Sequence, residues 1–251
     1  MESETFWIQM AGIPMWVKPQ NKELWYFFKK YRISPTKEDQ KEFQLLMNEK
    51  APLITSQEEI EREDSFKEGH FSQVYLESLA IYRKICHLLL EKNVLLFHCS
   101  ALEIHGKAVL FTAKSGTGKS THARLWRERF GKDVIMINDD KPLLKIGSDE
   151  VRVYGTPYAG KENLHTNRNA KVAAIVILHQ AKKNHLEAVS AQKAYPLLLN
   201  QTYRRQDEIG MLQTMDLIGE LARLPIYEFG CTISQDAVNM VYERLKGDGC
   251  L

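Results

Sequence analysis

The 251-residue sequence has no run approaching the roughly 20 apolar residues that cross a bilayer. Its acidic opening, Met1-Glu2-Ser3-Glu4, lacks the basic and then apolar segments of a secretory signal. The expected location is the cytoplasm, with no membrane partner. Charge of one sign is also lacking, since 34 Lys and Arg face 32 Asp and Glu for a formal net charge of +2. That balance excludes a general surface for nucleic acid while leaving room for a local basic pocket. Cysteine is sparse. Cys86, Cys99, Cys231 and Cys250 are scattered, form no CxxC pair and read as reduced thiols. No HExxH occurs, and no acid or cysteine joins His98 and His105 at ligand spacing, so a histidine metal centre is not expected. Repeats, low-complexity tracts and a Gly/Pro-rich linker are missing as well.

What is present is an ordinary globular composition, 44% hydrophobic and 26% charged, which excludes global disorder. The first 90 residues are slightly acidic and the remainder slightly basic. Phe6–Met10 and Met15–Val17, separated by Ala11-Gly12-Ile13-Pro14, read as a small hairpin. The acid-rich stretch 57–68 reads as a solvated loop or surface segment. From Ser72 to Leu90 apolar residues recur at helical spacing and predict a long amphipathic helix. A boundary is expected near residue 90, giving a small α+β region over 1–90 and a second domain over 91–251.

Beyond residue 90 the pattern becomes strand and helix in alternation. Strands are expected at 94–97, 101–104, 107–112, 133–138 and 172–178, the last as a central strand, with a helix over 120–130. This is an α/β pattern with helices on the faces of a sheet. The remainder of the chain reads as mostly helical, with Ser234 as an N-cap.

The most informative stretch is Ala113-Lys114-Ser115-Gly116-Thr117-Gly118-Lys119-Ser120-Thr121. It follows an apolar strand and precedes a helix, the context a P-loop requires. Small residues let the backbone curl so that successive N–H groups point at phosphate oxygens, and the helix start adds the positive end of its dipole. Ser115, Gly116, Thr117, Gly118, Lys119, Ser120 and Thr121 are therefore the candidate nucleotide-binding residues. Lys119 reaches the β- and γ-phosphates, and Ser120 offers a hydroxyl to Mg²⁺. Ala113 stands where the pattern GxxxxGK[ST] has glycine, so residue 113 is expected to keep an ordinary backbone conformation.

Asn138-Asp139-Asp140 closes the next strand. In an open α/β sheet ligands sit at the carboxyl ends of strands, so loop and acids converge if their strands run parallel. One acid then holds Mg²⁺ and the other accepts the proton of an attacking hydroxyl, or is kept neutral by its neighbour. The Gly- and Pro-containing segment 154–163 reads as a loop that carries Lys161 toward a phosphate or simply joins two strands. His98 ends its strand and is either a phosphate-facing catalytic residue or a structural one. Arg204-Arg205 reads as a solvated helix start or, through Arg205, a clamp on the transferred group.

These motifs in this order resemble the HPr kinase/phosphorylase C-terminal domain and its relatives with the phosphoenolpyruvate carboxykinase-type fold. The resemblance runs over about residues 94–245. It rests on His98-Cys99-Ser100 through Lys107, the loop continuing into Thr121-His122-Ala123-Arg124-Leu125-Trp126, Asn138–Pro142, and Gly155-Thr156-Pro157-Tyr158-Ala159-Gly160-Lys161, which is similar to the GTPW-x-GK element. It implies a mixed-sheet P-loop domain and a kinase that uses ATP and Mg²⁺ to phosphorylate a serine hydroxyl. By position it makes Lys119 and Ser120 nucleotide and metal residues, Asp139 the base and Asp140 the metal partner. No LEIRGLGI-type segment follows the acid pair, so HPr is not the expected acceptor. The expected partner is a peptide or protein bearing the acceptor serine, and an oligomer is compatible with the sequence. A metabolite kinase on the same fold and a nucleotide-sensing module without catalysis are the other readings.

Overall fold

The computed structural model describes residues 5–47, 52–65, 71–114 and 116–251. The chain divides into two compact units, Met1–Lys92 and Asn93–Leu251.

In the first unit β1 (Phe6–Met10) and β2 (Ile13–Lys18) form an antiparallel hairpin, Phe6 opposite Val17 and Met10 opposite Ile13. Ala11 (φ 51°) and Gly12 (φ 78°) are both left-handed, as a two-residue turn matched to strand twist requires. Phe6, Ile8 and Met10 alternate into the core with Met15 and Val17, while Trp7 stacks on Trp16 at 6.0 Å on the other face. The unit continues with α1 (Leu24–Phe27), β3 (Arg32–Ile33), α2 (Lys37–Met47), β4 (Leu53–Ile54), α3 (Gln57–Ser65) and α4 (Gln73–Leu90). Its sheet has the order β3-β1-β2-β4.

The acid-rich stretch expected as a loop or surface segment is a mostly exposed helix over 57–65, and residues 66–68 lie outside the described residues. The reason is a capping box. Glu59 N–H donates to Ser56 Oγ at 3.2 Å and Ser56 N–H donates to Glu59 Oε2 at 2.7 Å. Buried Ile60 and ion pairs to α4, Lys84 with Glu59 and Arg83 with Glu63, complete the attachment. The helix α4 starts where Ser72 Oγ accepts from Tyr75 N–H at 3.2 Å, and buries Leu76, Ile81, Ile85 and Leu89 on different sides of its axis.

The second unit contains β5 (Val94–Leu96), β6 (Ser100–Ile104), β7 (Lys107–Thr112), α5 (Lys119–Phe130), β8 (Val134–Asn138), β9 (Leu143–Ile146), β10 (Val151–Tyr154) and β11 (Asn169–Gln180). After them come β12 (His185–Ala188), α6 (Ala191–Asn200), α7 (Glu208–Leu221), β13 (Ile226–Cys231) and α8 (Gln235–Gly247). Among the described residues nine strands make one mixed sheet. Its main path is β5-β9-β10-β11-β7-β6-β8, with β13 parallel to the far half of β11 and β12 antiparallel to β13. The region expected to be mostly helical therefore also supplies two strands. Ile226–Cys231 lies between two helices in the chain, and the open edge of β11 gives it a ladder.

Alternate residues Val109 and Phe111 of β7, Val176 and Leu178 of β11, and Phe229 of β13 face a common core. It is closed by Trp126 of α5 and by Val238, Val241 and Leu245 of α8. Ser234 caps α8 by accepting from Ala237 N–H at 3.2 Å. Strand β6 lies between β7 and β8 and runs antiparallel to both, so β7 and β8 run the same way. Ser100 pairs with Phe111 on one side and Ala101 with Asn138 on the other, which sets the ends of β7 and β8 level.

Candidate functional site

The turn after β7 is held by Thr117, whose Oγ1 donates to the Lys114 carbonyl at 2.8 Å. Gly116 (φ 79°) and Gly118 (φ 117°) adopt backbone conformations that L side chains resist, which lets the chain reverse into α5. Ala113 is buried and keeps φ out of the left-handed region, as expected from its Cβ. Ser115 lies outside the described residues. The helix α5 begins at Lys119 with Gly118 as N-cap and no side-chain cap, so its first N–H groups are left for another acceptor. Gly116 and Ser120 are exposed, and Thr117, Gly118 and Thr121 are half-buried.

Lys119 is buried, and no hydrogen bond or ion pair joins it to another described residue. Burial holds its ammonium below the usual lysine range, against the opposing pull of Asp140 and Cys99. A buried cation with no hydrogen bond or ion pair to a described residue, at a helix start without a side-chain cap, is a favourable setting for an anion.

The acids stand across β6 from this turn, about 10 Å away at two strand spacings. Asn138 shapes their turn. Its Oδ1 accepts the N–H groups of Asp140 at 2.9 Å and Lys141 at 2.8 Å, and its Nδ2 donates to the Thr156 carbonyl at 3.0 Å. Asp139 is buried and accepts from Gly160 N–H at 2.5 Å through Oδ1. Burial pushes its carboxyl above the usual carboxylate range. Hydrogen bonds from the backbone at Gly160 and Leu164 pull it back, and the neighbouring Asp140 charge pushes further up. Asp140 is half-buried. Burial would raise it too, but His98 and Lys141 outweigh that and hold its carboxyl at about 2. His98 Nε2 lies 3.0 Å from Asp140 Oδ1, and Lys141 Nζ lies 3.1 Å from Oδ2. The environments of the two acids thus diverge, one toward a proton acceptor and the other toward a permanent anion.

The segment 155–160 closes against this turn. A Cβ on Gly155 would collide with the Thr166 carbonyl oxygen, so only glycine passes there. Thr156 Oγ1 donates to the Lys141 carbonyl at 2.8 Å. Lys161 follows Gly160 on the exposed side of this loop. Arg205 does not join the acids. It forms a forked pair with Asp207, 2.7 Å and 3.1 Å, and Asp207 caps α7 through Gly210 N–H. The helix-start reading of Arg204-Arg205 describes that arrangement.

A cleft of about 520 Å³ opens beside the turn, lined by Gly116, Thr117, Gly118, Thr121, His122 and Leu125 of the loop and α5, and by Gln180, Ala181, Cys231, Thr232 and Ile233 at the ends of β11 and β13. The wall from β13 has no motif in the sequence. Gln201, which meets His98 through its side chain, also carries no sequence signal, because it is an isolated polar residue at the end of α6.

No protein family and no curated protein matches the chain. Among solved structures, the HPr(Ser) kinase/phosphatase from Coxiella burnetii is similar at 13% identity and a TM-score of 0.36, over 61% of this chain and 98% of that one.

Proposed function

We propose that the chain is an ATP- and Mg²⁺-dependent phosphotransferase that transfers the γ-phosphoryl group to a serine hydroxyl of a peptide or protein. The observation that carries this reading is Lys119. A buried ammonium with no hydrogen bond or ion pair to a described residue stands at a helix start without a side-chain cap, level with an acid pair at the end of the next parallel strand. The residues fit the groups such a reaction needs. A triphosphate supplies the missing counter-charge for Lys119 and acceptors for the first N–H groups of α5. Among the described residues no group of three or more His, Cys, Asp or Glu gathers to hold a metal ion. Mg²⁺ takes one or two protein oxygens and completes its shell with phosphates and water. Ser120 and Asp140 would hold it, and it would neutralise charge on the phosphate oxygens.

The rest is the work of side chains. The turn and Lys119 bind and orient the phosphates, and the cleft beside Thr121 and Leu125 takes the nucleoside. Asp139 accepts the hydroxyl proton as the serine oxygen bonds to the γ-phosphorus and the bond from that phosphorus to the β,γ-bridging oxygen breaks. Positioning and charge supply most of the catalysis in phosphoryl transfer. The test is incubation of the chain with γ-labelled ATP, Mg²⁺ and a peptide library in which each serine peptide has an alanine twin. Label on serine peptides alone supports the reading. ATP binding without label on any hydroxyl acceptor removes it, and label confined to small molecules replaces the polypeptide acceptor with a metabolite.

A further inference from the structure

Asp140 is reached through a relay that begins on a different element. The end of α6 is stitched to the segment before β6. His98 N–H donates to the Gln201 carbonyl at 2.7 Å, Tyr203 N–H donates to the Leu96 carbonyl at 3.0 Å, and Phe97 bridges Thr202. This pairing brings the Gln201 side chain to the His98 ring, with Oε1 3.0 Å from Nδ1. The opposite ring nitrogen, Nε2, is 3.0 Å from Asp140 Oδ1. The His98 carbonyl is itself held by Thr112 Oγ1 at 2.9 Å, at the last residue of β7 before the phosphate turn. The imidazole is thus fixed at its backbone, at Nδ1 and at Nε2.

We infer that Gln201 is a positioning residue that aims Asp140 through the His98 ring. The inference rests on the reading of Asp140 as the metal-side acid. The ring has two torsions that its backbone contacts do not fix, about Cα–Cβ and Cβ–Cγ. With a proton on each ring nitrogen, Nδ1–H donates to Gln201 Oε1 and Nε2–H to Asp140 Oδ1, so the Gln201 oxygen fixes both torsions and the carboxylate of Asp140 takes its orientation from Nε2. Each Asp140 oxygen keeps a lone pair beyond its bonds to His98 and Lys141, so a carboxylate held in this way still presents one to a cation. Removing such an outer hydrogen-bond partner typically lowers metal affinity by about tenfold to a hundredfold.

The test reads Mn²⁺ binding by electron paramagnetic resonance, using the full chain loaded with a non-hydrolysable ATP analogue. The variants are Gln201→Leu, Gln201→Glu, His98→Ala, the double variant that combines Gln201→Leu with His98→Ala, and Asp140→Asn. Gln201→Leu is expected to weaken Mn²⁺ binding by about tenfold while metal-free binding of the analogue stays within twofold. Gln201→Glu, which keeps an oxygen acceptor at Nδ1, is expected to restore it. His98→Ala is expected to weaken binding at least as much, with no further loss when Gln201→Leu is added. Unchanged binding in Gln201→Leu beside a clear loss in His98→Ala overturns the role of Gln201 alone. Equal losses in Gln201→Leu and Gln201→Glu, or fully additive losses with His98→Ala, overturn it as well. Undiminished binding in Asp140→Asn overturns the metal-side reading of that acid and this inference with it.

Discussion

The Gly160 N–H is bonded to Asp139 Oδ1 at 2.5 Å, and a Cβ built on Gly160 would stand 3.3 Å from Oδ2 of the same carboxylate. The loop therefore both holds the acid and leaves it just enough room. Gly160 does not need a positive φ, so Gly160→Ala tests the contact and not the backbone. The expected outcome is a fall in phosphoryl transfer of at least about tenfold, the cost of a displaced catalytic group, with ATP affinity within twofold. Paired measurements of kcat and nucleotide binding decide it, and unchanged kcat would place the base elsewhere.

Lys119 carries opposite consequences for activity and stability. Its ammonium is buried with no ion pair to a described residue, so Lys119→Met is expected to raise Tm in the absence of nucleotide. ATP is expected to raise Tm of the native chain and not of this variant, and transfer should fall by at least about a hundredfold. Thermal melts with and without Mg²⁺ and ATP check both halves. A lower Tm without nucleotide would mean that the ammonium has a stabilising partner in the folded chain.

The acid pair should divide its labour. Asp139→Asn is expected to abolish transfer while Mg²⁺-dependent nucleotide binding persists, because Asp139 lies against Gly160 with its carboxyl pushed upward. Asp140→Asn is expected to raise the Mg²⁺ concentration needed for half-maximal nucleotide binding, because this carboxylate is held as an anion by His98 and Lys141. Titration calorimetry at several Mg²⁺ concentrations separates them, and an exchange of the two phenotypes would reverse the assignments.

His122 sets an acid limit on stability. Trp126 Nε1–H donates to its Nε2 at 3.1 Å, and burial lowers its pKa to about 4 from an ordinary 6.5. Above pH 6.5 both folded and unfolded chains hold the ring neutral. Between 6.5 and 4 only the unfolded chain gains the proton, so stability falls as pH falls through this window and levels off below it. The loss approaches roughly 3 kcal/mol at pH 4, at 1.36 kcal/mol per unit. His122→Gln keeps an acceptor for Trp126 and should flatten this part of the pH profile in urea unfolding. An equally steep profile in the variant would move the limit to other groups.

Local signals are legible wherever a few consecutive residues settle the outcome. Ala11-Gly12 reads as a turn because both residues tolerate or favour left-handed backbone, and Gly116 and Gly118 take the positive φ that glycine allows in the tight reversal before α5. The charge of the stretch 57–65 marks it as a loop or surface segment without showing that it is a helix, although Ser56 and Glu59 carry the capping signal three residues apart. β13 is hidden between two helical stretches, α7 and α8, and takes its ladder from the open edge of β11.

The sequence alone determined the loop, the acids and their attachment to strand ends, since each depends on chain-local chemistry: small residues for a tight reversal, a lysine at a helix start, adjacent carboxylates. Only the tertiary structure decided that β6 sets the two strand ends level, that Gly160 and His98 take one acid each, and that Gln201 arrives from the far end of α6. Those relationships join residues many positions apart. They exist only once strand order and register bring the segments together, and neither is written in any short stretch of the chain.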